Sequence, residues 1–119
     1  MGRRSRRRAS EGDRPPAPTT DYRDADGNVL TLRDELSAGT LRALRDLDAR
    51  PAASAEDRWQ RRVELLFERL AVRWVIADLP LEGQKELLGR YRLASSSERQ
   101  QVRATLAEHV ATHHPEIDV

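Results

Sequence analysis

The stretch RWQRRVELLFERLAVRWVIADLP, Arg58 to Pro80, decides how this chain folds, because it holds both tryptophans and the single phenylalanine. Ser54 and Asp57 stand three apart just before it, an acidic variant of the capping box, and they open a predicted long helix over 55–77. At about 100° per residue, Trp59, Val63, Leu66, Phe67, Leu70, Trp74 and Ala77 share one broad apolar face. Leu65, Val72 and Ile76 fall almost opposite. Glu64, Glu68 and Arg61 fill one gap between the two faces, and Arg62, Arg69 and Arg73 the other. A helix apolar on two sides is either sandwiched in a bundle or docked to another molecule. The first face, with both tryptophans, reads as core. The second, Leu65, Val72 and Ile76 rimmed by Arg62, Arg69 and Arg73, reads as a partner-binding surface.

Upstream, DYRDADGNVLTLR over 21–33 reads as a short β-hairpin. Asp26-Gly27 is its turn, because glycine takes a positive φ without steric cost. Ser37 caps a helix running to about Ala49, with Leu41, Leu44 and Leu47 on one face. Downstream, Leu79-Pro80 reads as a linker, followed by a helix of roughly Glu82 to Leu93. Ser95 and Glu98 match the capping-box spacing and open a last helix to about His113, which Pro115 stops. The expected fold is therefore mainly α: a small bundle of about four helices behind a β-hairpin. Residues 21–114 form the one domain, and 115–119 a frayed tail.

Residues 1–20 lack apolar periodicity and combine Arg, Ser, Gly and Pro, which predicts a disordered arm. Charge divides unevenly: the arm carries +4 and the other 99 residues −3. Arg3, Arg4, Arg6, Arg7 and Arg8 are suited to neutralising phosphates, so a nucleic-acid tether is the alternative function. The arm has no interleaved aromatics for base stacking. Because 20 of the 21 basic residues are arginine, GC-rich codon usage is a second source of this bias.

With no cysteine in the chain, disulfides, thiolate metal sites and thiol nucleophiles are excluded. No apolar run reaches the length of a membrane span, and no apolar segment of a secretory signal follows the basic start. A cytoplasmic protein with no membrane partner is expected. Asp24-Ala25-Asp26-Gly27-Asn28 has the look of a calcium loop. Its frame, however, puts Tyr22 at the first ligand position and Arg33 where a bidentate glutamate belongs. His109 and His113, one helical turn apart, have the spacing of a shared metal. No third ligand is evident nearby, and both sit along the Val102–Leu106–Val110 stripe, so they read as core edge. Ser95, Ser96 and Ser97 lack a nucleophile elbow and are explained by capping. No phosphate-binding or dinucleotide motif is present. No cofactor and no enzymatic activity are expected.

The order of elements carries a resemblance. A short strand pair leads into VLTLRDELSAGTLRAL, then a Trp-bearing helix ending WVIADLPLEGQKELLGRY, then a terminal helix. Over roughly 21–113, and through the spacing Trp74…Leu79-Pro80-Leu81…Leu87-Leu88, the chain resembles the small tail assembly chaperones of tailed phages and prophages. The resemblance implies a non-enzymatic role: holding an amphipathic helical segment of a tape-measure protein until tail-tube subunits assemble around it, in the host cytoplasm. Self-association through the same surface is the other partner expected of a small core.

Overall fold

The computed structural model describes residues 17–117. The chain is α+β, not the mainly α bundle expected. Among the described residues, four helices pack with a four-stranded antiparallel sheet. The strands are β1 (Thr19–Arg23), β2 (Val29–Arg33), β3 (Ala71–Ile76) and β4 (Leu79–Glu82), adjacent in chain order across the sheet. The helices are α1 (Ala38–Ala49), α2 (Ala55–Leu70), α3 (Gln84–Arg92) and α4 (Ser96–His113).

The correction lies within the stretch that decides the fold. α2 starts where Ser54 predicts, with its hydroxyl accepting from the Asp57 amide. The helix ends at Leu70, and the next residue is already strand. AVRWVI carries three β-branched residues and a tryptophan in six positions, which favours a pleated surface over a helix. Period two then replaces the helical period. Trp74 and Ile76 turn to the core, while Arg73 points out. Val72 sits at the irregular step where Thr31 pairs with Arg73 but Leu32 with Ala71. Ile76 therefore shares a face with Trp74 instead of opposing it. Leu79-Pro80 is strand rather than linker, and Pro80 is tolerated because β4 is an edge strand.

The helix starts expected at Ser37 and Ser95 hold, but β1 begins at Thr19, inside the expected 1–20 arm, and α3 begins at Gln84 because Glu82 ends β4. Ser37 caps α1 through the Thr40 amide. Ser95 and Glu98 form a full capping box on α4. The first hairpin forms around Gly27, whose φ is 85°. Its strands pair from Thr19↔Arg33 to Arg23↔Val29.

One face of the sheet is buried. Tyr22, Leu30, Trp74 and Leu81 line up across the four strands, and Leu32 and Ala71 make a second row. Against them pack Val63, Leu66, Phe67 and Leu70 of α2, Leu87 and Tyr91 of α3, and Val102, Leu106 and Val110 of α4. Phe67 is the hub. It stacks on Tyr91 at 5.0 Å and meets the Trp74 ring edge-on at 5.8 Å. Leu32, Leu66, Phe67, Leu70, Leu106 and Val110 have no exposure at all. Each such side chain contributes roughly 1.5–3 kcal/mol over its exposed state. Trp59 is only half buried and takes the Arg103 guanidinium on its face at 4.4 Å.

Candidate functional site

The six residues expected to form one partner surface do not come together. Arg62, Leu65 and Arg69 are on α2, while Val72, Arg73 and Ile76 are on β3. Arg73 stands on the solvent face of the sheet between Thr31 and Glu82, and Ile76 packs against the core. Arg62 has a side chain only 14% exposed, because it reaches across to Asp48 and ties α1 to α2. Arg69 lies near Arg33, Glu35, Leu36 and Thr40 where α1 begins.

Leu65 remains at a surface feature, a groove between α1 and α2. Its apolar floor is Ala43, Leu47 and Leu65. Leu47 is half buried and, unlike Leu65, is not packed against the core. The walls are charged. Arg92 binds Glu64 at 2.8 Å, which also ties α3 to α2. Arg61 binds Asp57 at 2.9 Å and the Pro51 carbonyl at 3.3 Å. These exposed pairs contribute little to stability, but they fix where charge stands along the groove.

The outer face of the sheet is different in character. Its rows are Asp21–Thr31–Arg73–Glu82 and Arg23–Val29–Val75–Pro80. Both aromatic side chains of the sheet, Tyr22 and Trp74, belong to the opposite, core-facing row. This face has no stacking platform for bases. Arg3, Arg4, Arg6, Arg7 and Arg8 lie outside the described residues.

A second constellation surrounds the end of α4. His109 has no exposure, and both its ring nitrogens are engaged. Nε2 lies 2.7 Å from the Arg33 carbonyl oxygen and Nδ1 2.7 Å from the Tyr22 hydroxyl. A carbonyl only accepts, so Nε2 carries the proton and Nδ1 accepts from tyrosine. Burial holds the His109 pKa below the ordinary histidine value. The charges of His113 and His114 act the same way, against the Arg33 carbonyl and Asp34. Burial raises the pKa of Tyr22, with help from Glu108 and Asp34. His113 Nε2 is 3.5 Å from Asp34 Oδ1. Thr20 donates to the same carboxylate oxygen, and His114 Nε2 donates to the Asp34 main-chain carbonyl at 2.9 Å. The group thus gathers β1, the end of β2 and the last turn of α4.

The histidine spacing was visible in the sequence, but its third partner was not. Asp34 is 75 residues before His109, and only the pairing of β2 with the rest of the sheet brings it there. No local pattern predicts that meeting. Asp34, His109 and His113 offer ligand atoms that all lie within 4.8 Å of one another.

At the other end of α4, Glu98 accepts from the Ser95 amide and pairs with Arg90 at 2.8 Å. The Ser95 bond and the Arg90 guanidinium hold its carboxyl below the usual range. Arg90 also lies 5.4 Å from the Trp74 ring. This arrangement locks α3 to α4.

Among the described residues, no helix is long and apolar enough to cross a membrane. Compared with known proteins, the chain matches no family model, no curated protein and no solved structure.

Proposed function

We propose that this protein is a non-enzymatic protein-binding module that seats an amphipathic helix of its partner in the groove between α1 and α2. The observation that carries the reading is Leu47, a half-buried leucine in a groove between two helices that the core does not claim. An apolar floor with charged walls on both sides is the shape an amphipathic helix fills: its leucines meet Ala43, Leu47 and Leu65, and its flanking charges meet the walls. The resemblance in element order makes the partner a tape-measure-like helical protein and the role that of a tail assembly chaperone in the host cytoplasm. That resemblance now rests on the strand pair, α1 and the Leu-rich α3, since β3 replaces the last turns of the expected long helix and β4 the expected linker.

The nucleic-acid alternative depends on the arm alone. The outer sheet face, which sets Asp21 and Glu82 beside its arginines and offers no aromatic, gives it no support.

The test is co-expression of the full chain with the long helical protein of the same gene cluster. Soluble partner should appear with the unaltered chain and be lost with Leu47→Asp. Circular dichroism of the variant should be unchanged, because Leu47 lies outside the core cluster. Partner solubility that ignores Leu47→Asp, or that needs no chaperone, sinks the reading.

A further inference from the structure

We propose that Asp34, His109 and His113 bind a divalent transition-metal ion of the zinc type, fastening the last turn of α4 to the sheet. Three features support a built site. The donor set is two imidazoles and one carboxylate, which suits zinc and its neighbours and not the hard, all-oxygen preference of magnesium or calcium. Each of the three residues offers a ring nitrogen or a carboxylate oxygen, and one such atom from each already lies within 4.8 Å of the other two. Bonds of about 2 Å to a common ion would draw them in by roughly an ångström, within reach of side-chain torsions. The surroundings are those of ligating groups: His109 donates its Nε2–H to the Arg33 carbonyl, and Thr20 donates to the Asp34 carboxylate. Histidines that hold metals commonly give their second ring N–H to such a carbonyl, which fixes the tautomer and leaves the other nitrogen to the ion.

The nitrogen left in this way is Nδ1, which now accepts from Tyr22. The metal competes with that hydroxyl. A hydroxyl rotates to another partner at small cost, whereas losing the carbonyl bond would release the tautomer. Access is open from one side, since the His113 and Asp34 side chains are 28% and 19% exposed. Three protein ligands leave a fourth position for water. His114 is not counted as a ligand, because it is not among the three residues whose ligand atoms lie within 4.8 Å of one another.

The experiment is zinc titration of the untagged full chain by calorimetry near neutral pH, with thermal unfolding as a second readout. One zinc per chain and a raised melting temperature are expected, since an ion that binds only the folded state stabilises it. Magnesium should do neither. Asp34→Asn and His113→Ala should each weaken binding at least roughly tenfold. Both positions are partly exposed, so the variants keep their fold. His114→Ala should bind as the parent does, and Tyr22→Phe, which removes the competitor, at least as tightly. The proposal fails if the parent binds no zinc. It fails equally if Asp34→Asn and His113→Ala bind unchanged, which would place an adventitious ion on His114 and Glu116.

Discussion

The two hairpins of the sheet are built by different means. The first, β1–β2, is closed by its own residues. Asp24 accepts from the amides of Asp26 and Asn28, and the positive φ falls on Gly27. The second, β3–β4, has no glycine in its turn. Ala77 and Asp78 take φ values of 51° and 66°, a region that costs an L-residue roughly 1–2 kcal/mol. What supports it comes from elsewhere. The Asn28 side chain, in the first hairpin's turn, accepts from the Ala77 amide at 3.0 Å. Trp74 anchors it to Phe67 and Arg90. One hairpin is local and the other is held by tertiary contacts. The strained turn is held in place by the better one beside it.

The largest expected effect tests that dependence. Trp74→Ala should destabilise the fold by about 3–5 kcal/mol, measured by urea unfolding. A loss below about 1 kcal/mol would mean that β3–β4 stands on its own turn after all.

This difference also explains what could be read from the sequence. Asp26-Gly27 announces a hairpin because its chemistry is local, and Ser37, Ser54 and the Ser95–Glu98 pair announce helix starts for the same reason. Ala77-Asp78 carries no such mark. Nor does any glycine or proline mark the step from Leu70 to Ala71, so the helical period reads on through six strand residues. That period puts Leu65, Val72 and Ile76 on one helical face, whereas the fold divides them between α2 and β3. Leu65 lines the groove beside α1, because it lies where the helical period still applies, whereas Val72 is left half-buried at the irregular step of β3. The Asp34–His113 meeting was beyond reach for a simpler reason: it is a product of strand pairing over long sequence separation.

Acid should separate the two hairpins next. Tyr22 and the Arg33 carbonyl hold neutral His109, so the last turns of α4 are tied by hydrogen bonds to the first hairpin. His109 faces Tyr22 and Asp34 from the sheet side, and His113, His114 and Glu108 from its own end of the chain. Its folded pKa lies below the ordinary value, so the unfolded chain takes up the proton first. Stability is then full above about pH 6.5 and falls as the pH drops below it. In metal-free protein with chelator present, hydrogen exchange should show Tyr22, Leu30 and Val110 amides losing protection on acidification before those of β4. Uniform loss across the sheet would remove the distinction.

The smallest effects have opposite signs. Gly27→Ala meets no atom within 4 Å, so its cost is the backbone alone, about 1 kcal/mol. Ala77→Gly relieves the same kind of strain and should stabilise by up to about 1 kcal/mol. Thermal unfolding of the pair decides whether the second turn is strained as described.

The junction at Leu70 and Ala71 has a consequence for how the chain can change over time. Ala71 serves two elements at once: its amide bonds back to the Phe67 carbonyl as the helix cap, and its position in the sheet is opposite Leu32. Adding one residue there would turn the strand over and swing the helix by about 100°. The irregular step at Val72 already absorbs the mismatch between the two periods. Length can therefore drift in the first turn or between α1 and α2, but the interval from Leu66 to Trp74 acts as a fixed ruler. Descendants of this sequence should be recognisable by that spacing even where few of its side chains survive.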